Sequence, residues 1–151
     1  MRGLQDSASN YHVLDDARLP GLIRQLAGAG KPVIFEEELS FTERFVEMAH
    51  GLNLIIPHLG MLGGNPIDFL ASFKDKKSVY FDTALASRDT IRRFVETVGP
   101  ERILFGSDVP FGSMKPELGK VLDLPIPDGE KELILSKNFL RVTGWRERGH
   151  G

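Results

Sequence analysis

Four side chains that can bind a metal ion or transfer a proton follow four short apolar runs in this sequence. They are Glu36, His58, Asp82 and Asp108. Carboxylates and imidazoles are the side chains that hold divalent metal ions and that accept and return protons. If the apolar runs are parallel strands, all four side chains lie at one edge of the sheet. The pattern therefore predicts a metal or proton-transfer site at that edge.

Each of these residues also has a plain structural interpretation. The acidic triplet that begins at Glu36 can be the solvated start of a loop. Asp82 can hydrogen-bond the backbone that follows it, and this is the role we favour for it. His58 and Asp108 differ, because each follows a buried run and stands directly before a tight turn with glycine or proline. For these two residues we favour a functional role.

The four apolar runs predict the strands that would position these side chains. The runs are residues 32–35, 54–56, 78–81 and 102–105. Each is continuous rather than alternating, as expected of strands that are buried on both faces of a parallel sheet. They recur about every 21 to 25 residues, which is the period of a strand-helix unit and predicts an α/β fold with parallel strands.

Helix signals separate the strands. Ser40 begins a capping box that predicts it as an N-cap, Asn65 precedes a proline suited to the first helical position, and Ser87 can cap a third helix. After the last strand, the proline- and glycine-rich stretch 110–128 predicts a long loop, and residues 130–143 predict a final helix.

Two architectures fit this rhythm: an open doubly wound sheet and part of a (β/α)8 barrel. No G-x-G-x-x-G or G-x-x-x-x-G-K-[ST] motif follows any strand, so the common nucleotide fingerprints are absent. A full barrel needs about 250 residues, and this chain has 151. We therefore expect a single domain over residues 1–151, which is either an open sheet or, because of its length, about half of a TIM barrel.

Composition excludes several classes of function. The net charge of −2 at pH 7 gives no basic surface for nucleic acid or membrane. The chain has no cysteine, so disulfides, thiolate zinc sites and cysteine nucleophiles are excluded. No apolar stretch has the length of a membrane helix, and the first residues do not form a signal peptide. We expect a cytoplasmic protein that acts on a small molecule.

Two strand-end motifs carry a resemblance to a known family. The first is Ile-Ile-Pro-His-Leu-Gly at residues 55–60, and the second, about fifty residues later, is Ile-Leu-Phe-Gly-Ser-Asp-Val-Pro at 103–110. They resemble the H-x-G and G-S-D-x-P motifs that end strands six and eight in the amidohydrolase-related family. These proteins are metal-dependent hydrolases and decarboxylases on a TIM-like barrel. Residues 137–144 resemble the closing helix of that family, so the resemblance covers nearly the whole chain.

The resemblance implies that this chain corresponds to about strands four to eight of such a barrel. Arg2-Gly3-Leu4 resembles the tail of strand four, and the H-x-H metal motif of strand one has no counterpart. The family usually places a metal-binding histidine at the end of strand five, where this sequence has Glu36. Glutamate can bind a divalent ion through oxygen and suits harder ions better than imidazole does.

The resemblance also implies a chemistry for the site residues. In the family a divalent ion, commonly zinc and here with manganese as the alternative, activates water. Asp108 and His58 are then the catalytic residues: Asp108 binds the ion or shuttles a proton, and His58 binds metal or polarises the substrate. Glu36, His58 and Asp108 are the metal ligands that this chain offers. Decarboxylation uses the same parts, so the reaction is either hydrolysis or decarboxylation.

A second hypothesis is of another class. The chain can be a non-catalytic half-barrel that serves as an assembly unit. Parallel strands cut from a barrel leave unpaired edges and bare apolar faces. Such a unit would form a homodimer or pair with a separate, complementary barrel half.

Overall fold

The computed structural model describes residues 14–145, so the predicted strand-four tail at Arg2-Gly3-Leu4 lies outside the described part. The helices and strands alternate along the chain. In order they are α1 (Leu19–Gly28), β1 (Val33–Ile34), α2 (Leu39–Met48), β2 (Leu54–Ile56), α3 (Pro66–Phe73), β3 (Val79–Asp82), α4 (Arg88–Val98), β4 (Ile103–Leu104), α5 (Met114–Leu122), α6 (Asp128–Glu132) and α7 (Asn138–Thr143). Short 3₁₀ turns follow β2 and precede β4, and a π-helical turn joins α6 to α7.

The four strands form one parallel sheet in the order β1-β2-β3-β4. Each strand lies beside the next one in sequence, and the order never reverses. A doubly wound sheet has a point where the strand order reverses. The sheet therefore confirms the predicted α/β fold and matches part of a barrel rather than an open doubly wound sheet.

The two faces of the sheet bury different sets of side chains. One face packs against the helices and carries most of the core, including Leu54, Ile56, Val79, Phe81 and Ile103. The other face carries a smaller cluster formed by Ile55, Tyr80, Leu104 and Val142. Because Val142 belongs to α7, the last helix reaches the face opposite to the main helical layer.

Two of the three predicted helix caps are confirmed. The side chain of Asn65 accepts the amide of Ile67 at the start of α3, and Ser87 accepts the amide of Thr90 at the start of α4. The Ser40 cap is wrong. Residue Glu38 is the N-cap of α2, because the first helical hydrogen bond runs from the Thr42 amide to the Glu38 carbonyl at 2.9 Å.

The predicted loop over 110–128 is wrong in its middle, where α5 occupies Met114–Leu122. Its proline, Pro116, lies in the first turn of the helix, where a missing amide breaks no helical hydrogen bond. Val121 then anchors the helix in the core with no exposed surface. The predicted final helix is confirmed, although it begins at Asp128 and contains the π-helical turn Leu133–Lys137. Among the described helices, none has the length and apolar character needed to cross a membrane.

Candidate functional site

His58 follows β2 in an unusual backbone conformation. Within the turn Pro57–Gly60, His58 has φ +55° and Leu59 has φ +54°, both in the left-handed region. Non-glycine residues there cost about 1–3 kcal/mol each and concentrate at functional sites. Gly60 continues the turn at φ +83°, and a Cβ at this position would lie 2.3 Å from the ring of Phe69. The turn is thus tightly constrained by the core beneath it.

The imidazole of His58 is buried against one carboxylate. Only 8% of its side chain is exposed, and its Nε2 lies 3.8 Å from Oε1 of Glu36, which follows β1. The other ring nitrogen, Nδ1, is buried and has no hydrogen-bond partner. Buried polar atoms without a partner are rare and call for an explanation, such as an ion or a ligand group.

Asp82 ends β3 beside His58. Its Oδ1 accepts the backbone amide of His58 at 3.1 Å and that of Ala84 at 2.9 Å. Burial raises the pKa of the Asp82 carboxyl above its ordinary value, and the negative charge of Asp108 acts in the same direction. The two amide hydrogen bonds and the nearby imidazole partly oppose that rise in pKa.

Asp108 lies in the turn after β4 and is also left-handed, with φ +52°. Its carbonyl accepts the amide of Gly112 at 2.6 Å, which closes the turn. A Cβ on Gly112 would lie 2.2 Å from the carbonyl oxygen of Ser107, so only glycine fits there. The backbone therefore holds Asp108 in a defined place at the end of β4.

The structure brings some of the predicted site residues together. The side chains of Glu36 and His58 face one another. The amide of His58 donates a hydrogen bond to the carboxylate of Asp82. The negative charge of Asp108 in turn contributes to the raised pKa of Asp82. Within residues 14–145, however, no three histidine, aspartate or glutamate side chains are grouped so that they would hold one metal ion. The predicted ligand set of Glu36, His58 and Asp108 is therefore not assembled by the described residues alone.

The donor groups at the carboxyl ends of the strands, here called the mouth, can supply part of a metal site but not a complete one. A catalytic zinc normally has three protein ligands and an open position. Here one imidazole and one carboxylate face each other, and the buried Nδ1 of His58 lacks the partner that a metal-bound histidine usually has at its second nitrogen. The described residues therefore supply too few ligands to complete a catalytic metal site.

Two acidic residues matter more in the structure than the sequence indicated. Asp82, for which we favoured a turn role, holds the amide of His58 as well as its own turn. Glu117 lies on α5, is 6% exposed, accepts the amide of Leu85 and pairs with Lys120 at 2.7 Å. The strand-end position of Asp82 was a usable signal. Glu117 had none, because its helix was predicted to be a loop.

Comparison with models of known protein families shows to which family this chain belongs. The model of the Amidohydrolase family matches residues 21–144 of this chain. This chain belongs to the amidohydrolase family. The resemblance inferred from the two strand-end motifs is thereby confirmed. Among curated proteins no match was found.

Solved structures of similar fold include an amidohydrolase and a decarboxylase. An amidohydrolase from Burkholderia multivorans with bound HEPES matches with a TM-score of 0.78 and 14% identity over 94% of this chain and 63% of that one. A dihydroxybenzoic acid decarboxylase from Polaromonas sp. JS666, with bound manganese and the inhibitor 2-nitroresorcinol, matches with a TM-score of 0.72 and 14% identity over 91% and 57%.

A TIM-barrel protein from Bordetella bronchiseptica matches with a TM-score of 0.68 and 21% identity, over 85% of this chain and 51% of that one. At these identities the likeness concerns the fold. This chain spans 51% to 63% of the length of these three structures. Its parallel sheet is accordingly part of a TIM barrel.

Proposed function

We propose that this chain forms strands four to eight of a metal-dependent hydrolase or decarboxylase of the amidohydrolase family, as one domain over residues 1–151. The observation that carries the proposal is the His58–Glu36 pair at the mouth, in which a nitrogen–oxygen distance of 3.8 Å joins a carboxylate to an imidazole on left-handed backbone. A buried imidazole on left-handed backbone is costly for the fold alone and is understandable as part of a functional site.

Each residue has a role in this proposal. His58 and Asp108 are the catalytic residues, and Glu36, His58 and Asp108 are the ligands that this chain contributes. Carboxylates at the mouth can also accept a proton from a reacting group. The remaining ligands come from the part of the barrel that this chain does not span. The manganese in the Polaromonas decarboxylase supports a divalent metal, and zinc stays a prediction.

Metal titration of the purified chain tests the ligand assignment. We expect weak binding of manganese or zinc, because only part of the ligand set is present. His58→Ala and Asp108→Asn should each weaken that binding, measured by calorimetry and by metal content after dialysis. His50→Ala is the matched control, since His50 is exposed at the end of α2, and it should leave binding unchanged.

Two results would count against the ligand assignment. The first is metal binding that neither His58→Ala nor Asp108→Asn alters, because the ion would then lie elsewhere. The second is the complete absence of binding at millimolar metal, because a mouth with one imidazole and two carboxylates should retain some affinity.

A second candidate function is an assembly unit without its own catalysis. The observation that favours it is Ile34 on β1, whose side chain is 70% exposed at the edge of the sheet. Exposed apolar side chains on an edge strand favour association with another chain. A second copy of the chain or a complementary barrel half could cover this exposed apolar edge. Light scattering at micromolar concentration tests the dimer, and a monodisperse monomer would exclude it.

The remaining predictions concern the setting of the protein. The small-molecule substrate, the absence of a nucleic-acid or membrane partner and the cytoplasmic location stay predictions. Assay of hydrolysis and of decarboxylation on aromatic carboxylates would separate the two reaction classes, once the chain is supplied with the rest of a barrel.

A further inference from the structure

Asp82 lies where the ends of three strands meet. Its Oδ1 accepts the amide of His58 after β2 at 3.1 Å and the amide of Ala84 after β3 at 2.9 Å. A Cβ on Gly106, just after β4, would lie 2.8 Å from the same oxygen. One carboxylate oxygen therefore hydrogen-bonds the mouth ends of β2 and β3 and lies close beside that of β4.

The bond to His58 matters because the backbone of that residue is strained. His58 and Leu59 are consecutive left-handed residues without the freedom of glycine. Such a conformation persists only where the surroundings hold it. The carbonyl of His58 is held by the amide of Met61 at 2.9 Å, and the amide of His58 is held by Asp82.

We propose that Asp82 is the positioning residue of the site: it fixes the backbone of His58 and thereby aims the imidazole at Glu36. The proposal rests on the proposed function only in treating His58 as a site residue. Its geometry needs no metal. The alternative is that Asp82 merely closes its own turn through Ala84, in which case the His58 ring would be indifferent to its loss.

The direct test compares two substitutions of Asp82 by NMR on the metal-free chain. Asp82→Asn keeps an oxygen that accepts both amides, so the ring resonances of His58 and the exchange rate of its amide should stay near those of the wild type. Asp82→Ala removes the acceptor. It should shift the His58 ring resonances and speed the exchange of the His58 amide by about tenfold.

A matched control separates positioning from general stability. Val95→Ala removes buried surface on α4, where Val95 is 5% exposed and lies in the core. It should lower the melting temperature and leave the His58 ring resonances unchanged. The proposal is overturned if Asp82→Ala leaves those resonances in place, or if Val95→Ala moves them as far.

Gly106→Ala provides a second, independent test from a different strand. The added methyl would lie 2.8 Å from Oδ1 of Asp82 and should displace that side chain, so the His58 resonances should shift. In an Asp82→Ala background this shift should disappear, because the displaced group is gone. Equal shifts in both backgrounds would show that the effect bypasses Asp82 and would overturn the proposal.

The outcome remains decisive if Asp82→Ala does not fold. Asp82→Asn should then resemble the wild type while Gly106→Ala shifts the His58 resonances. A shift in Asp82→Asn as large as that in Gly106→Ala, or no shift in Gly106→Ala, contradicts the proposal. Metal titration is a separate measurement, so failure of the ligand assignment would not be confused with failure of the positioning role.

Discussion

The β1 and β4 edges of the sheet are equally short, but within residues 14–145 only the β4 edge is covered by other parts of the chain. At β4, the side chain of Asn138 donates to the carbonyl of Ile103 at 2.8 Å and to that of Pro100 at 2.7 Å. The amide of Phe105 donates to the carbonyl of Ile134 at 2.9 Å. The Ile103 carbonyl and the Phe105 amide point away from β3, since it is the carbonyl of the intervening Leu104 that accepts the amide of Thr83 at the end of β3 at 3.0 Å.

The β1 edge is different. None of the described residues adds a strand beyond β1, and Ile34 exposes 70% of its surface there. Beside it, an apolar cavity of about 310 Å³ opens between α1, β1 and α2. The outward backbone groups at the β4 edge are thus hydrogen-bonded by the C-terminal helical segment, whereas the β1 edge presents apolar surface.

This difference bears on how the barrel would be completed. Two copies that close a ring would have to pair β4 of one with β1 of the other. The outward groups of β4 are already bonded to Asn138 and Ile134, so such a ring would require the last helix to move. A separate half that completed the barrel would meet the same cover at β4, so the comparison favours association at β1 over association at β4.

Removing the side chain that covers the β4 edge should have the largest effect on the free energy of unfolding. Asn138→Ala leaves the Ile103 carbonyl without its partner, while the Pro100 carbonyl keeps the amide of Ile103. We expect a loss of about 4 kcal/mol in the free energy of unfolding, up to about 3 for the unsatisfied carbonyl and about 1 for the second hydrogen bond. Urea unfolding measures the loss. Ser136→Ala, an exposed neighbour on the same helical segment, is the control and should change little. A loss below about 1 kcal/mol for Asn138→Ala would mean that water satisfies these carbonyls and that the edge is not closed.

A matched pair of truncations at the two edges should sharpen the contrast. Leu104 on β4 is 3% exposed and belongs to the smaller apolar cluster, whereas Ile34 on β1 is 70% exposed. Leu104→Ala should cost about 3 kcal/mol of unfolding free energy. Ile34→Ala should stay within about 0.5 kcal/mol. Equal costs in urea unfolding would show that β1 is as well packed as β4.

Ile34→Lys tests whether β1 is the edge that associates. In the separate chain it should hardly alter stability, because the side chain already faces solvent. It should reduce any self-association seen by light scattering, since a charged side chain on an edge strand opposes pairing. Phe139→Lys, an exposed residue on α7 near the β4 edge, is the control. Association that only the α7 variant reduces would reverse the assignment of the two edges.

The smallest expected effect concerns a charge pair on the β1 side, in the segment before α1. Hydrogen bonds from the side chain and amide of Arg18 lower the pKa of Asp16 to about 2. Since this pKa lies below the unfolded value of 3.8, the pair stabilises the fold above that value and the contribution is lost as the pH falls through about 2.

Arg18→Ala should return the Asp16 pKa towards 3.8, followed by carbon-13 NMR titration, with little change in melting temperature at pH 7. Arg24→Ala on α1 should leave the Asp16 pKa at about 2. If Arg18→Ala did the same, the low pKa would have a source other than this pair.

Local sequence signals predicted the strands well and the helix boundaries less well. Continuous apolar runs such as 54–56 mark buried strands, and side chains such as Asn65 mark caps because the bond they make is local. The Ser40 cap failed because α2 begins two residues earlier, with Glu38 as an N-cap whose side chain makes no capping hydrogen bond and therefore gives no local signal. Helix α5 was missed because its proline and glycine indicated a loop, while its burial against the core depends on distant residues.

The site was predictable residue by residue, but its arrangement was not. The strand-end rule singled out Glu36, His58, Asp82 and Asp108, and the structure brings the first two within 3.8 Å. The part played by Asp82 could not be foreseen, because its bond to the His58 amide joins residues 24 positions apart. Sequence alone also gave no reason for Asn138 to cover the outer edge of β4.

The sequence by itself determined the strand-helix order, the buried character of the strands and the residues at their ends, since these depend on local pattern and on the period of side chains along the chain. The two motifs at 55–60 and 103–110 also determined the family. Tertiary structure decided the direct neighbours of each strand end, the left-handed backbone of His58 and the difference between the two edges. The physical reason is that burial and hydrogen bonding between distant residues can outweigh local preference, and only the folded chain shows which distant groups meet.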